Sequence, residues 1–188
     1  MVNNSKNIAK KEFMSDYYRM TGIAYKTGLK SIFNTYMRHN IRFMKLYRKC
    51  STKRIGIINK YRLNRYAQKY GLEISSKACI DEGLYLGHPY NITVAADVKI
   101  GKNVNLHKGC TIGRENRGKR EGVPTIGNNV AVGINSTIIG KITIGNDVMI
   151  APNSFVNFDV PDHSIVVGNP GVIHHKENAT ENYINFCV

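Results

Sequence analysis

Residues 98 to 160 repeat a six-residue pattern, one aliphatic position among small and polar ones. Ile100, Leu106, Ile112, Ile126, Val132, Ile138, Ile144, Ile150 and Val156 hold one phase, and Ile74, Ile80 and Leu86 extend the period upstream. Ile, Leu and Val are 43 of the 188 residues, so nine aliphatic hits in one phase mark a repeat rather than composition. Glycine often follows the anchor (Gly101, Gly113, Gly127, Gly133, Gly145), and small or β-branched residues stand two before it. A period of six suits neither an amphipathic helix nor a sandwich strand. It suits a flat strand plus a corner, with one side chain per hexad pointing inward. Three hexads close a triangular coil, and stacked coils form a parallel β-helix. Asn128, Asn129 and Asn146 are expected to turn corners at positive φ.

Two breaks interrupt the phase. It slips by two residues at Gly87-His88-Pro89-Tyr90, and 14 residues separate Ile112 from Ile126 where a hexad has six. Insertions in a solenoid project from one face and commonly build sites. The longer insertion, residues 113–125, carries Arg114, Arg117, Lys119 and Arg120.

Before residue 71 the pattern is helical. Leu29, Ile32, Phe33, Tyr36, Met37, Ile41 and Met44 recur at three- and four-residue spacing and are expected on one face. A second helix is expected from about Arg54 to Tyr70, with Gly71 as its stop. Three regions follow: a basic α-helical segment 1–71, a β-helix domain 72–173 with insertion loop 113–125, and a tail 174–188.

Charge follows that division. The chain carries 27 Lys+Arg against 13 Asp+Glu; residues 1–70 hold 17 against 2, and the remainder is nearly neutral. The excess therefore belongs to the helical segment and says nothing about the solenoid's chemistry. A helical cap on its own protein or on another subunit is the first expectation for that segment. A place on an anionic membrane surface is the second. No nucleic acid is expected, since no DNA- or RNA-binding motif accompanies the charge. No apolar run is long enough to span a bilayer, and the polar first residues lack a signal-peptide core. Cys50, Cys79, Cys110 and Cys187 are scattered, which fits free thiols in a reducing cytoplasm, at most peripheral at a membrane's inner face.

Leu86-Gly87-His88, the run from Leu106 to Gly113, the long loop and the ending Gly168-Asn169-Pro170-Gly171 resemble the hexapeptide-repeat acetyltransferases. The resemblance is to the serine acetyltransferases and their shorter relatives in capsule and exopolysaccharide clusters. It implies a left-handed β-helix, acetyl-CoA as co-substrate, no metal, and a homotrimer or a pair of trimers. By position it makes His88 the general base, Glu73 its orienting carboxylate and His107 a further polar group near the acceptor. It places acetyl-CoA against Gly113, Gly133, Ile134, Ala151 and Pro152, with Lys176 at its phosphate. Tyr90 and Arg114 are the acceptor-binding candidates. Imidazole suits the first role because an alcohol is a poor nucleophile and His takes a proton near neutral pH.

The departures shape the expected acceptor. Serine acetyltransferases carry Asp before the catalytic His, where this chain has Gly87, and Arg-His before a loop proline, where it has Gly122-Val123. Those side chains hold the charges of free serine, and unpaired charges are costly in a dry site. The expectation is therefore acetyl transfer to a saccharide hydroxyl in surface-polysaccharide synthesis. Serine O-acetylation for cysteine synthesis is the alternative, and a non-catalytic scaffold on membrane or nucleic acid the alternative of another class. A zinc-dependent carbonic anhydrase on the same solenoid needs a His pair that neither His88 nor His107 completes.

Overall fold

The computed structural model describes residues 2–51 and 56–188, with side chains from Asn7 onward. Among these, four helices precede the strands: α1 (Val2–Thr21), α2 (Leu29–Met37), α3 (His39–Cys50) and α4 (Ile57–Tyr70). Gly71, at φ 65°, caps α4 by donating its N–H to the Ala67 carbonyl, as expected for a glycine stop. The start expected at Arg54 lies outside the described residues.

Fifteen short strands make three sheets along a triangular solenoid. The first sheet stacks β1 (Leu72–Ile74), β4 (Ile92–Val94), β7 (Thr111–Gly113), β10 (Thr137–Ile139) and β13 (Phe155–Val156). The second stacks β2 (Cys79–Ile80), β5 (Lys99–Ile100), β8 (Thr125–Ile126) and β11 (Thr143–Ile144). The third stacks β3 (Tyr85–Gly87), β6 (Asn105–His107), β9 (Val130–Val132), β12 (Val148–Ile150), β14 (Ser164–Val167) and β15 (Val172–His175). All pairs are parallel except β14–β15, which folds back after Gly168 and Pro170. The boundary expected at residue 173 thus falls inside a paired strand.

Register explains the hexad. Ile74, Val94, Ile112, Ile138 and Val156 form one inward column; Ile80, Ile100, Ile126 and Ile144 a second. Leu86, Leu106, Val132, Ile150 and Val166 form the third. All of them are buried, and a fully buried side chain of this kind contributes about 1.5–3 kcal/mol. Strands of two or three residues persist because these columns pack between coils. The two phase breaks change the coil length: Leu86 pairs with Leu106, twenty residues on, and Thr111 with Thr137, twenty-six on.

The corner asparagines divide into two kinds. Asn129 has the expected positive φ, as do Asn103, Asn135 and Asn153. Asn128 and Asn146 do not. Their side chains accept instead from the coil before, Lys102 N–H on Asn128 Oδ1 (2.8 Å) and Asn128 N–H on Asn146 Oδ1 (2.9 Å). They follow Gly127 and Gly145, where a Cβ would strike the backbone of the adjacent coil, so here the close approach of coils sets the residue type.

The helices share the solenoid's core. Phe13, Tyr17, Met20, Ile41, Phe43, Met44 and Tyr47 lie in one buried cluster with the strand aliphatics. The single apolar face expected from Leu29 to Met44 does not form. Arg38, at φ −103° and ψ 115°, separates α2 from α3. Ile41 and Met44 of α3 are buried, whereas α2 buries Ser31 and Thr35 and leaves Leu29, Ile32, Phe33, Tyr36 and Met37 exposed. Arg48, on α3, meets Asp16, on α1, in a fully buried bidentate pair at 2.7 and 3.0 Å. Asp16 also accepts from Gly83 and Leu84 N–H, and Arg48 donates to the carbonyls of Ile80 and Asp81. The pair joins the helices to the corner between the second and third sheets, at residues 80–84.

Candidate active site

The edge where the third sheet turns into the first collects most of the expected site. At the strand ends or one residue beyond them, the coils place Gly87, His107, Gly133, Ala151 and Val167 in a row, in which Gly133 is held to glycine by the backbone of the adjacent coil. Beside it, on the corner, run His88, Lys108, Ile134 and Pro152. Hydrogen bonds between coils tie them together: Lys108 N–H to the Gly87 carbonyl, Asn135 N–H to Lys108 and Asn153 N–H to Ile134. At about 4.8 Å per parallel step, Gly87 to Ala151 spans roughly 14 Å. His88, His107, Gly133, Ile134, Ala151 and Pro152 are therefore one contiguous strip.

His88 stands at the head of the strip. Its backbone is left-handed, φ 48°, because the two extra residues of this coil must be absorbed in the turn, and Tyr90 N–H closes it on the His88 carbonyl. The imidazole is exposed and makes no hydrogen bond among the described residues. A non-glycine residue in this conformation is uncommon and often functional.

His107 lies next to it, half-buried, with its ring tilted against Tyr85 at 6.2 Å. Burial, and secondarily the charge of His88, hold its pKa below the ordinary value, so it is neutral near pH 7. A Cβ on Gly87 would collide with His107 Nδ1. The imidazole thus fills the space where a side chain at 87 would stand. Gly87 and His107 are one feature, which the linear sequence separates by twenty residues.

The other candidates lie elsewhere. Glu73 is exposed on β1, beside Thr93, and forms neither a hydrogen bond nor an ion pair with His88. It stands on the flat face of the first sheet, whereas His88 stands on the edge. Tyr90 shares the His88 turn but faces the helices, against His39 at 5.1 Å and Tyr70 at 5.8 Å. Gly113 and Arg114 sit on a different edge, between the first and second sheets. Arg114 pairs there with Asp97 at 3.3 Å, both well exposed. The insertion is a small hairpin closed by Glu115 and Gly122, and Arg120 donates to the Asn157 carbonyl. Lys176 borders a separate cavity of about 420 Å³ with Met149, Ile165 and the tail.

The sequence reading missed His39. Its ring stacks on Tyr70 at 4.6 Å, and Nε2 lies 3.4 Å from the Pro89 carbonyl, directly beside His88. No periodicity pointed to it, because α3 brings it there from 49 residues away.

The fold and repeat define a hexapeptide-repeat β-solenoid, and a family model for the bacterial transferase hexapeptide (six repeats) matches residues 124–157. The chain is similar to serine acetyltransferases. That of Staphylococcus xylosus is 39% identical over 105 residues, 55% of this chain and 48% of that protein. That of Helicobacter pylori is 35% identical over 99 residues, 53% and 58%. Serine acetyltransferase 2 of Arabidopsis thaliana is 36% identical over 107 residues, 57% and 33%. The matched stretch thus takes in a third to somewhat over half of these relatives' own length. In fold, the soybean serine acetyltransferase apoenzyme superposes with a TM-score of 0.72 at 22% identity, over 92% of this chain and 72% of that one. The Neisseria gonorrhoeae serine acetyltransferase in complex with serine gives 0.71 at 23%, over 92% and 69%. None of these relatives is named for a polysaccharide acceptor, so the expectation of a saccharide draws no support from them.

Proposed function

We propose that the protein is an acetyl-CoA-dependent O-acetyltransferase with His88 as general base. The observation that carries this is the strip itself: an exposed imidazole on a left-handed turn, with the short residues Gly133 and Ala151 following it along the same edge, where Gly133 packs against the next coil. A pantetheine arm needs such an edge, because only short side chains let it approach the backbone. In the reaction, His88 takes the proton of the acceptor hydroxyl as its oxygen attacks the thioester carbonyl. The tetrahedral intermediate collapses, the carbon–sulfur bond breaks, and the imidazolium returns the proton to the departing CoA thiolate. General-base help of this kind is worth about 10²–10⁴ in rate. The neutral His107 is placed to hydrogen-bond the acceptor. A homotrimer, with a second copy walling the strip, belongs to the same reading.

For the acceptor, the relatives' names favour L-serine. A second reading, a saccharide hydroxyl, rests on one observation of this chain: the space beside His88 holds a neutral imidazole over Gly87, so no carboxylate stands there to meet an ammonium group. Steady-state CoA release with L-serine and with sugar acceptors separates the two. Efficient O-acetylserine formation would end the saccharide reading. His88→Ala is expected to lower turnover at least ~10²-fold with unchanged circular dichroism; near-normal turnover would remove the base assignment. An absence of acetyl-CoA binding altogether would leave the scaffold reading.

A further inference from the structure

The helical segment sets apolar and cationic side chains side by side on one surface. α2 is seated with its small polar residues, Ser31 and Thr35, inward. Leu29, Phe33, Tyr36 and Met37 face outward, at 88%, 62%, 63% and 67% exposure. The first turns of α4 add Ile57, Ile58 and Tyr61, all exposed. Globular helices turn their apolar stripe inward; here the stripe of α2 is in solvent, and exposed apolar rows of this kind mark an interaction face.

Tyr36 also borders a groove of about 650 Å³ between α3 and α4. Its cations include Arg42, Lys45, Arg62, Arg65 and Lys69, and no Asp or Glu lines it among the described residues. Among the described residues none of these five forms an ion pair. The Arg42 guanidinium lies over the Tyr66 ring at 6.0 Å, and its Nε is screened from solvent with no hydrogen-bond partner among the described residues.

Charge selects the occupant. A second copy docked by a two-fold axis would bring the same segment, 17 Lys+Arg against 2 Asp+Glu, so like charges would face one another. A polynucleotide would meet the cations but leave the aliphatic row in water. An anionic bilayer meets both, with lipid phosphates at the groove and Leu29, Phe33 and Met37 in the acyl boundary. We propose that α2, α3 and α4 form a docking face for an anionic lipid membrane. No helix among the described residues is long and apolar enough to cross one, so the association is peripheral. The groove ends at Tyr70, whose ring stacks on His39 beside the His88 turn, which sets the candidate active site next to the lipid surface.

The test is co-sedimentation of the full chain with phosphatidylcholine vesicles and with vesicles containing phosphatidylglycerol, at low and high salt. Salt-sensitive binding to the anionic vesicles alone is expected. Each neutralised cation costs about fivefold in partitioning, so R62A/R65A/K69A loses roughly 10²-fold. L29S/F33S/M37S is expected to lose binding while its sedimentation velocity stays that of the parent. No binding to anionic vesicles at low salt would overturn the proposal, as would equal binding to neutral ones. A fall of the L29S/F33S/M37S variant to a smaller species would overturn it too, since the apolar row would then be an interface between copies.

Discussion

Replacing Asp16 with alanine leaves Arg48 in the core without its counter-ion. Asp16 is fully buried and Arg48 is 2% exposed, so water cannot replace the lost carboxylate. Removing one partner of a buried pair costs about 3–5 kcal/mol. The N–H groups of Gly83 and Leu84 lose their acceptor as well, at about 1–3 kcal/mol each when buried. Three contacts soften the loss: Arg48 keeps the Ile80 and Asp81 carbonyls, and Glu12 remains 3.4 Å away. Because such terms overlap, we expect about 4 kcal/mol, a large share of the ~5–15 kcal/mol of an ordinary domain. Equilibrium urea unfolding at fixed protein concentration measures it, with the midpoint falling at unchanged slope. The double variant D16L/R48M removes the unpaired charge but leaves the Gly83 and Leu84 N–H groups and the Ile80 and Asp81 carbonyls without their side-chain partners, so it is expected to recover only part of the loss. A loss below about 1 kcal/mol for Asp16→Ala, or a double variant no better than the single, would refute the reasoning, since burial of an unpaired charge would not be the cause.

Gly87→Ala is expected to lose about 1–3 kcal/mol by forcing the His107 ring aside, and to regain it in G87A/H107S; thermal unfolding reads both. His107, its pKa lowered by burial, favours the folded state when neutral. Its contribution is complete above the unfolded value of about 6.5 and is lost as pH falls through the folded value. H107Q should therefore flatten stability against pH below about 6.5, and an unchanged slope would exclude His107 as its source. Asp147 accepts from His163 and from the buried Ala179 and Thr180 of the tail. Asp147→Ala should release residues 179–188 by about 1–3 kcal/mol, seen as faster amide exchange there with protection kept in β9 and β12.

The solenoid was legible because its repeat is local. One inward aliphatic per hexad follows from strand and corner geometry, and the breaks at 87–90 and 113–125 reappear as coils of twenty and twenty-six residues. The corner position of His88 was legible for the same reason, since a phase slip has to be absorbed at a corner. Periodicity alone could not say whether a face is covered. Leu29, Ile32, Phe33 and Met37 share a stripe in any helix, but only packing decided that Ser31 and Thr35 take the inside. Contacts between coils and between helix and coil were equally out of reach. His107 fills the space over Gly87, His39 reaches Pro89, and Asp16 meets Arg48 through register and docking across 20 to 50 residues. The sequence by itself determined the repeat, the strip's spacing and the basic helical start. The tertiary structure decided what stands beside His88 and which apolar face remains open, because both depend on packing between segments that the linear pattern describes one at a time.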